Sequence, residues 1–180
     1  MLMDRNQSTL LIIDLQARLQ PMIEQGASVV DNCRALIGVA DRLGVPCVIS
    51  EQYPQGLGGT VDEIRAVAGQ ASFVEKTHFS CVAEGCLGDT AINTRRQVIV
   101  GGTEAHVCVQ QTVLDLLGAG KIVFVVADAV GSRAASNKSL ALERMRDAGA
   151  QIVSREMVMF EWLRKAATDE FRQINRDFIR

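Results

Sequence analysis

Three times along this chain a helix-like segment ends at a glycine and an apolar, β-rich run follows within a residue or two, a repeated grammar that restricts the fold more than any other feature. The instances are Asp41-Arg42-Leu43-Gly44 into Pro46-Cys47-Val48-Ile49-Ser50, Leu116-Leu117-Gly118-Ala119-Gly120 into Ile122-Val123-Phe124-Val125-Val126, and Met145-Arg146-Asp147-Ala148-Gly149 into Gln151-Ile152-Val153. Glycine just past a helix end is the usual left-handed stop. Strands apolar on both faces belong in a parallel sheet covered by helices on each side. Adding Thr9 to Asp14, Ser72 to Glu75 and Gln97 to Gly101 gives about six strands alternating with helices. The expected architecture is a doubly wound α/β sandwich of three layers, one domain over residues 1–180, because this length and 48% apolar content supply one core.

Right-handed crossovers gather the strand C-termini on one edge, where open parallel sheets hold their ligands. Asp14 closes the first strand, Lys76 follows the third, and Cys108 opens the helix after the fourth, so residues distant in sequence converge there. The segment Glu51 to Thr60, rich in Gly and Pro, reads as a long irregular loop after the second strand, and loops of that length in small domains are often functional. From about Arg155 the chain reads as one or two terminal helices carrying Trp162, able to pack on its own sheet or on a partner subunit.

Several function classes fall away. A net charge of -2 offers no broad basic field for nucleic acid or an anionic membrane, leaving small molecules or proteins as partners. The apolar run Leu10 to Ile13, broken by Asp14, is too short for a membrane span or a signal-peptide core. Cys33, Cys47, Cys81, Cys86 and Cys108 are odd in number and contain no C-x-x-C pair, which suits a reducing, cytoplasmic setting without a disulfide framework or zinc knuckle. Gly56-Leu57-Gly58-Gly59 lacks the G-x-G-x-x-G spacing and follows the second strand, so a dinucleotide fingerprint is not met.

Cys108 follows Gly101-Gly102-Thr103-Glu104-Ala105-His106-Val107, and Val109 to Leu117 has helical apolar spacing. A thiol at a helix N-terminus is biased toward thiolate by the macrodipole and the free N–H groups, and glycines before it let the backbone approach a ligand. None of these features alone excludes a packed core thiol.

Taken together, Asp14 at the end of the first strand, Lys76-Thr77-His78-Phe79-Ser80 and Gly102-Thr103-Glu104-Ala105-His106-Val107-Cys108-Val109 make the chain resemble the isochorismatase-like cysteine hydrolases. The resemblance continues through Gln111 to Leu117 and through Val125-Val126-Ala127-Asp128-Ala129-Val130-Gly131-Ser132-Arg133. The loop from Glu51 to Thr60 is similar to that of the isochorismatase-domain-containing proteins. The resemblance implies a six-stranded parallel sheet, a homo-oligomer and a catalytic triad of Asp14, Lys76 and Cys108. It also implies a cis peptide before Glu104 that aims the Glu104 N–H beside that of Cys108 as an oxyanion hole. In such a triad Asp14 accepts the thiol proton and the Lys76 ammonium stabilises negative charge. Gln52, Tyr53, His78, Phe79 and Thr103 are the candidate substrate contacts.

The chain departs from nicotinamidase-like relatives, whose Asp-x-His motif and further histidine hold a divalent metal. Here the corresponding stretch is Ser50-Glu51-Gln52-Tyr53-Pro54, and the two histidines are His78 and His106. Catalysis without metal or cofactor is expected. His106 is read as structural or pocket-lining, and Glu51 and Gln52 either face substrate or hold the loop. True isochorismatases cleave a vinyl ether, for which a thiol is dispensable, so retention of Cys108 favours a small amide, imide or related acyl substrate. Aromatic content of 4% leaves few rings for a large planar one. Three alternatives stay open: a vinyl-ether hydrolase, a catalytically silent oligomeric scaffold, and thiol redox sensing by Cys108.

Overall fold

The computed structural model describes residues 1–179. Six strands, β1 (Ser8–Ile13), β2 (Cys47–Gln52), β3 (Ser72–Lys76), β4 (Gln97–Thr103), β5 (Ile122–Gly131) and β6 (Gln151–Val153), form one all-parallel sheet in the order β3-β2-β1-β4-β5-β6. The helices are α1 (Gly26–Arg42), α2 (Pro54–Leu57), α3 (Asp62–Arg65), α4 (Cys81–Glu84), α5 (Ala91–Thr94), α6 (Gln110–Gly118), α7 (Ala135–Asp147), α8 (Arg155–Leu163) and α9 (Asp169–Ile174). Among the described residues no helix is long and apolar enough to cross a membrane.

Alternation along the strands builds the two cores. Leu10, Ile12, Ile49, Ile99, Phe124 and Val126 point to one face, where Cys33, Leu36 and Ile37 of α1, Ile64 of α3 and Trp162 of α8 cover them. Leu11, Ile13, Val48, Val98, Val100, Val123 and Val125 point to the other, beneath Val113 and Leu116 of α6 and Ala141 and Met145 of α7. Successive side chains leave a strand on opposite faces, so a run apolar at every position is stable only with helices on both sides. The three-layer sandwich expected from the sequence follows.

Several strand boundaries differ from the sequence reading: β4 runs on to Thr103 and β5 to Gly131, and two further differences fall on the site. β2 runs on through Glu51 and Gln52, and β3 ends at Lys76 rather than Glu75. These polar residues stay extended because the neighbouring strand pairs them, Glu51 with Glu75 and Gln52 with Lys76. The supposed irregular loop is correspondingly shorter, with Tyr53 in the left-handed region and α2 directly after it. The segment around Cys108 is also not a plain helix start: Ala105–Val109 forms a π-helical turn that leads into α6.

Between β3 and α6 the chain is held by Ser80, the N-cap of α4, whose hydroxyl oxygen accepts the N–H groups of Val82 (3.2 Å) and Ala83 (3.3 Å) and donates to Asp115 Oδ2 (2.6 Å). Ser80→Ala is expected to lower stability by about 1–2 kcal/mol in a denaturant titration. An unchanged midpoint would show that water replaces the cap.

Candidate active site

The strand order reverses between β1 and β4, and the crevice outside the carboxyl ends at such a switch point is where open α/β sheets place ligands. Asp14 leaves β1 there in the left-handed conformation, φ +52°, with its N–H donating to Ser50 O (3.1 Å). Aspartate tolerates that region better than most residues. Beside it Gly102 has φ +119°, and a Cβ there would overlap the Ile13 backbone. A side chain at Gly102 would therefore push β4 away from the turn that presents Asp14.

The ends of β1, β2 and β3 then assemble a buried polar line. Lys76 Nζ donates to Asp14 Oδ2 (2.8 Å) and to Gln52 Oε1 (2.6 Å), and Ser50 Oγ donates to Asp14 Oδ1 (2.7 Å). The Asp14 and Lys76 side chains are both fully buried. Cys108, on the π-helical turn after β4, is 5% exposed, and its thiol donates to Gln52 Oε1 at 3.9 Å. The three residues expected as a triad are thus gathered at one place, with Gln52 between the ammonium and the thiol.

Burial dominates the electrostatics. It pushes the Asp14 carboxyl up, against the pull of Lys76 and of the hydrogen bonds from Lys76 and Ser50. Burial is also the largest single influence on Lys76 and lowers it, but the charge and hydrogen bond of Asp14, together with the nearby Cys108 and Cys81, hold the amine above its ordinary range. The Cys108 thiol is pushed up to about 12, first by burial and then by Asp14, against the pull of Lys76. The expectation of a resting thiolate is corrected: desolvation outweighs the ammonium, and the thiol sits in a π-helical turn rather than on the first turn of an α-helix.

The other anticipated residues divide. Tyr53 is 54% exposed and its N–H donates to Lys76 O (2.8 Å), so it stands at the ends of β2 and β3, and Phe79, just beyond Lys76 in the chain, is 52% exposed. Thr103 is fully buried, and its hydroxyl donates to Asp14 O (2.8 Å), fixing the carboxylate's backbone from behind. His78 faces solvent, with Nδ1 2.7 Å from Glu84 Oε2, and that carboxylate also accepts the His78 N–H (2.8 Å) and the Thr77 N–H (2.9 Å). These bonds, the His78 N–H first, lower the Glu84 carboxyl to about 2. His78 anchors a turn. Glu51 holds its loop: Oε1 accepts from Thr60 N–H (2.7 Å), Thr60 Oγ (2.7 Å) and Arg65 Nη2 (2.6 Å).

The peptide before Glu104 is trans, since no cis bond occurs among the described residues, and the expected cis bond is corrected. A non-proline cis peptide costs about 3–4 kcal/mol, and the geometry here is secured otherwise. Glu104 O accepts the N–H groups of Val107 (3.0 Å) and Val109 (3.2 Å), and its carboxylate pairs with Arg133 Nε (2.7 Å) and the Arg133 N–H (3.2 Å). His106 joins this side of the turn, with Nδ1 3.0 Å from Ser132 Oγ and Nε2 3.4 Å from Asn137 Nδ2. Both its ring nitrogens are engaged away from Cys108.

Two contributors were not anticipated, Ser50 and Gln16. Ser50 had a signal, because residues i and i+2 of a strand share a face and Gln52 was already a candidate. Gln16 had none: its side chain accepts the Gln52 N–H (2.8 Å) and donates to Gln52 O (3.0 Å) and Gly58 O (2.6 Å), a pairing set by tertiary approach alone.

Comparison with known proteins identifies related chains and folds. Residues 8–157 match the isochorismatase domain. The chain is 38% identical over 170 residues to isochorismatase domain-containing protein 1 of Danio rerio, covering 93% of this chain but only 59% of that protein. A structure described as MAR1 ribonuclease from Caenorhabditis elegans superposes with a TM-score of 0.94 at 31% identity, covering 100% of this chain and 93% of the other. The YcaC product of Escherichia coli, described as an octameric hydrolase of unknown specificity, gives 0.91 at 25% identity, covering 99% and 91%.

Proposed function

This chain belongs to the isochorismatase family, alongside the isochorismatase-domain-containing proteins, and on that premise we propose that it is a cysteine hydrolase acting on a small amide, imide or related acyl compound. The single observation that carries the proposal is the convergence of Asp14, Lys76 and Cys108 at the switch point of the sheet.

In this reading the thiol proton passes from Cys108 Sγ to Asp14 as sulfur attacks the acyl carbon, because a thiol pushed up to about 12 does not rest as thiolate. Lys76 keeps its proton and offsets the charge that develops. The oxyanion is received by the Cys108 N–H, while the Glu104 N–H, whose aim depended on a cis peptide, is not assigned that role. Collapse expels the amine, which takes the proton from Asp14 and leaves a thioester on Cys108. Asp14 then activates water to hydrolyse the thioester, and the thiol is restored. The exposed rings of Tyr53 and Phe79 are the groups available for apolar contact with a small substrate. Five free cysteines favour a reducing, cytoplasmic setting. A homo-oligomer, as described for YcaC, is tested by light scattering.

One observation favours a second reading. Burial raises the Asp14 carboxyl, and a protonated Asp14 is what vinyl-ether cleavage needs from its acid. A screen for ammonia release from small primary amides, ureides and imides, with acid-quenched samples weighed intact, separates the readings. An acyl mass on Cys108 during turnover is expected. Vinyl-ether cleavage that survives Cys108→Ala would establish the second reading instead. RNA belongs in the same screen because of the Caenorhabditis elegans relative, and RNA cleavage without amide turnover would overturn the proposal. No turnover of any class by the folded protein would leave a scaffold.

A further inference from the structure

We propose that Gln52 is a positioning residue, whose side-chain carbonyl aims the Lys76 ammonium and accepts the hydrogen bond of the Cys108 thiol, and that the site requires an uncharged amide at this position. The inference rests on the hydrolase reading and adds a residue to its machinery.

The orientation of the amide is decided by its surroundings. Gln52 Nε2 donates to Thr77 O (2.7 Å), while Oε1 accepts from Lys76 Nζ (2.6 Å) and from the Cys108 thiol (3.9 Å). Turning the amide over would set an NH2 group against the ammonium and a carbonyl against the Thr77 carbonyl, so only one orientation is stable. The backbone is clamped as well, since Gln16 bonds both the N–H and the carbonyl of Gln52. Gln52 is paired with Lys76 across neighbouring strands, so the clamp is carried by the sheet.

Two consequences follow for the reaction. An ammonium has three N–H directions in tetrahedral arrangement. Asp14 and Gln52 take two of them, which leaves the third directed for the sulfur or a developing oxyanion. A carbonyl oxygen facing a thiol also favours S–H over S⁻. A carboxylate here would compete with Asp14 for Lys76 and repel the thiolate in the reaction, whereas the amide accepts the ammonium's hydrogen bond without adding charge.

The test is iodoacetamide labelling of Cys108, followed by peptide mass spectrometry from pH 7 to pH 10, in wild type, Gln52→Met, Gln52→Glu and Lys76→Met, with the other cysteines as internal controls. Gln52→Met removes the facing oxygen and should label about tenfold faster at a given pH, the equivalent of one pKa unit. Gln52→Glu adds a negative charge and should label about tenfold slower. Mere loosening of the fold would accelerate both variants and the buried controls with them. On an amide that wild type turns over, Gln52→Met should lower kcat about tenfold or more with KM little changed. Shifts of the same sign in the two Gln52 variants, unchanged labelling, or an unchanged kcat would overturn the role of Gln52 while leaving the triad intact. Labelling that ignores Lys76→Met would instead overturn the triad, and the Gln52 role with it.

Discussion

Cys108→Ala is expected to abolish amide turnover, by on the order of 10⁴-fold or more, because no other group in the site can form the acyl intermediate. The residues around the sulfur are already committed: Asp14 and Lys76 to each other, Gln52 to Lys76 and Thr77, and His106 to Ser132 and Asn137. Cys108→Ser should not rescue the reaction. A hydroxyl is intrinsically harder to deprotonate than a thiol, and Asp14 with its raised carboxyl is a base suited to sulfur rather than to an alcohol. The fold should survive either change, since the side chain is small, with a loss of about 1 kcal/mol. Circular dichroism and thermal melts check the fold, and ammonia release checks activity. Full activity of the folded Cys108→Ala protein would remove the thioester mechanism.

Breaking the Asp14–Lys76 pair should produce the largest loss of stability, about 3–5 kcal/mol for either single substitution, because each leaves its partner's charge buried without compensation. The pH dependence should have opposite signs in the two variants. In Lys76→Met the carboxyl of Asp14, already raised by burial, loses the ammonium that pulls it back and rises further. A carboxyl whose folded pKa exceeds its unfolded one is most stabilising when protonated, so the deficit should shrink toward acid and grow as pH rises through the folded pKa. In Asp14→Asn the ammonium loses the charge that held it up, and burial then lowers it. That deficit should shrink toward alkaline pH, where the amine sheds its proton. The double variant Asp14→Asn/Lys76→Met should be more stable than the sum of the singles indicates, since no charge remains. Urea titrations from pH 5 to pH 9 measure all three. Parallel pH slopes in the two single variants would show that the pair is not a buried ion pair.

Much of the fold was legible in the residues themselves. Gly44, Gly120 and Gly149 each adopt a positive φ ahead of a strand, which the helix-Gly-strand repeats implied. β6 occupies Gln151–Val153 as read, and the runs apolar at every position required helices on both faces of the sheet. The ends of β2, β3 and β4 were less legible, because their last residues, Glu51, Gln52, Lys76 and Thr103, are polar and look like loop. Pairing with the neighbouring strand keeps them extended.

The candidate site divides along the same line. Asp14, Lys76 and Cys108 could be read from the sequence because each sits at the end of a recognisable strand or just beyond one, and the winding of a parallel sheet brings those ends together. What each group is in its resting state was decided only by the tertiary structure. Desolvation and the approach of Asp14 turn an expected thiolate into a thiol at about 12, and Gln16 fixes Gln52 from a distant turn. The Glu104 turn is held by Arg133 with the peptide trans. Residue identity and spacing set which groups arrive at the sheet edge; their charge, orientation and partners depend on burial and on contacts between segments far apart in the chain.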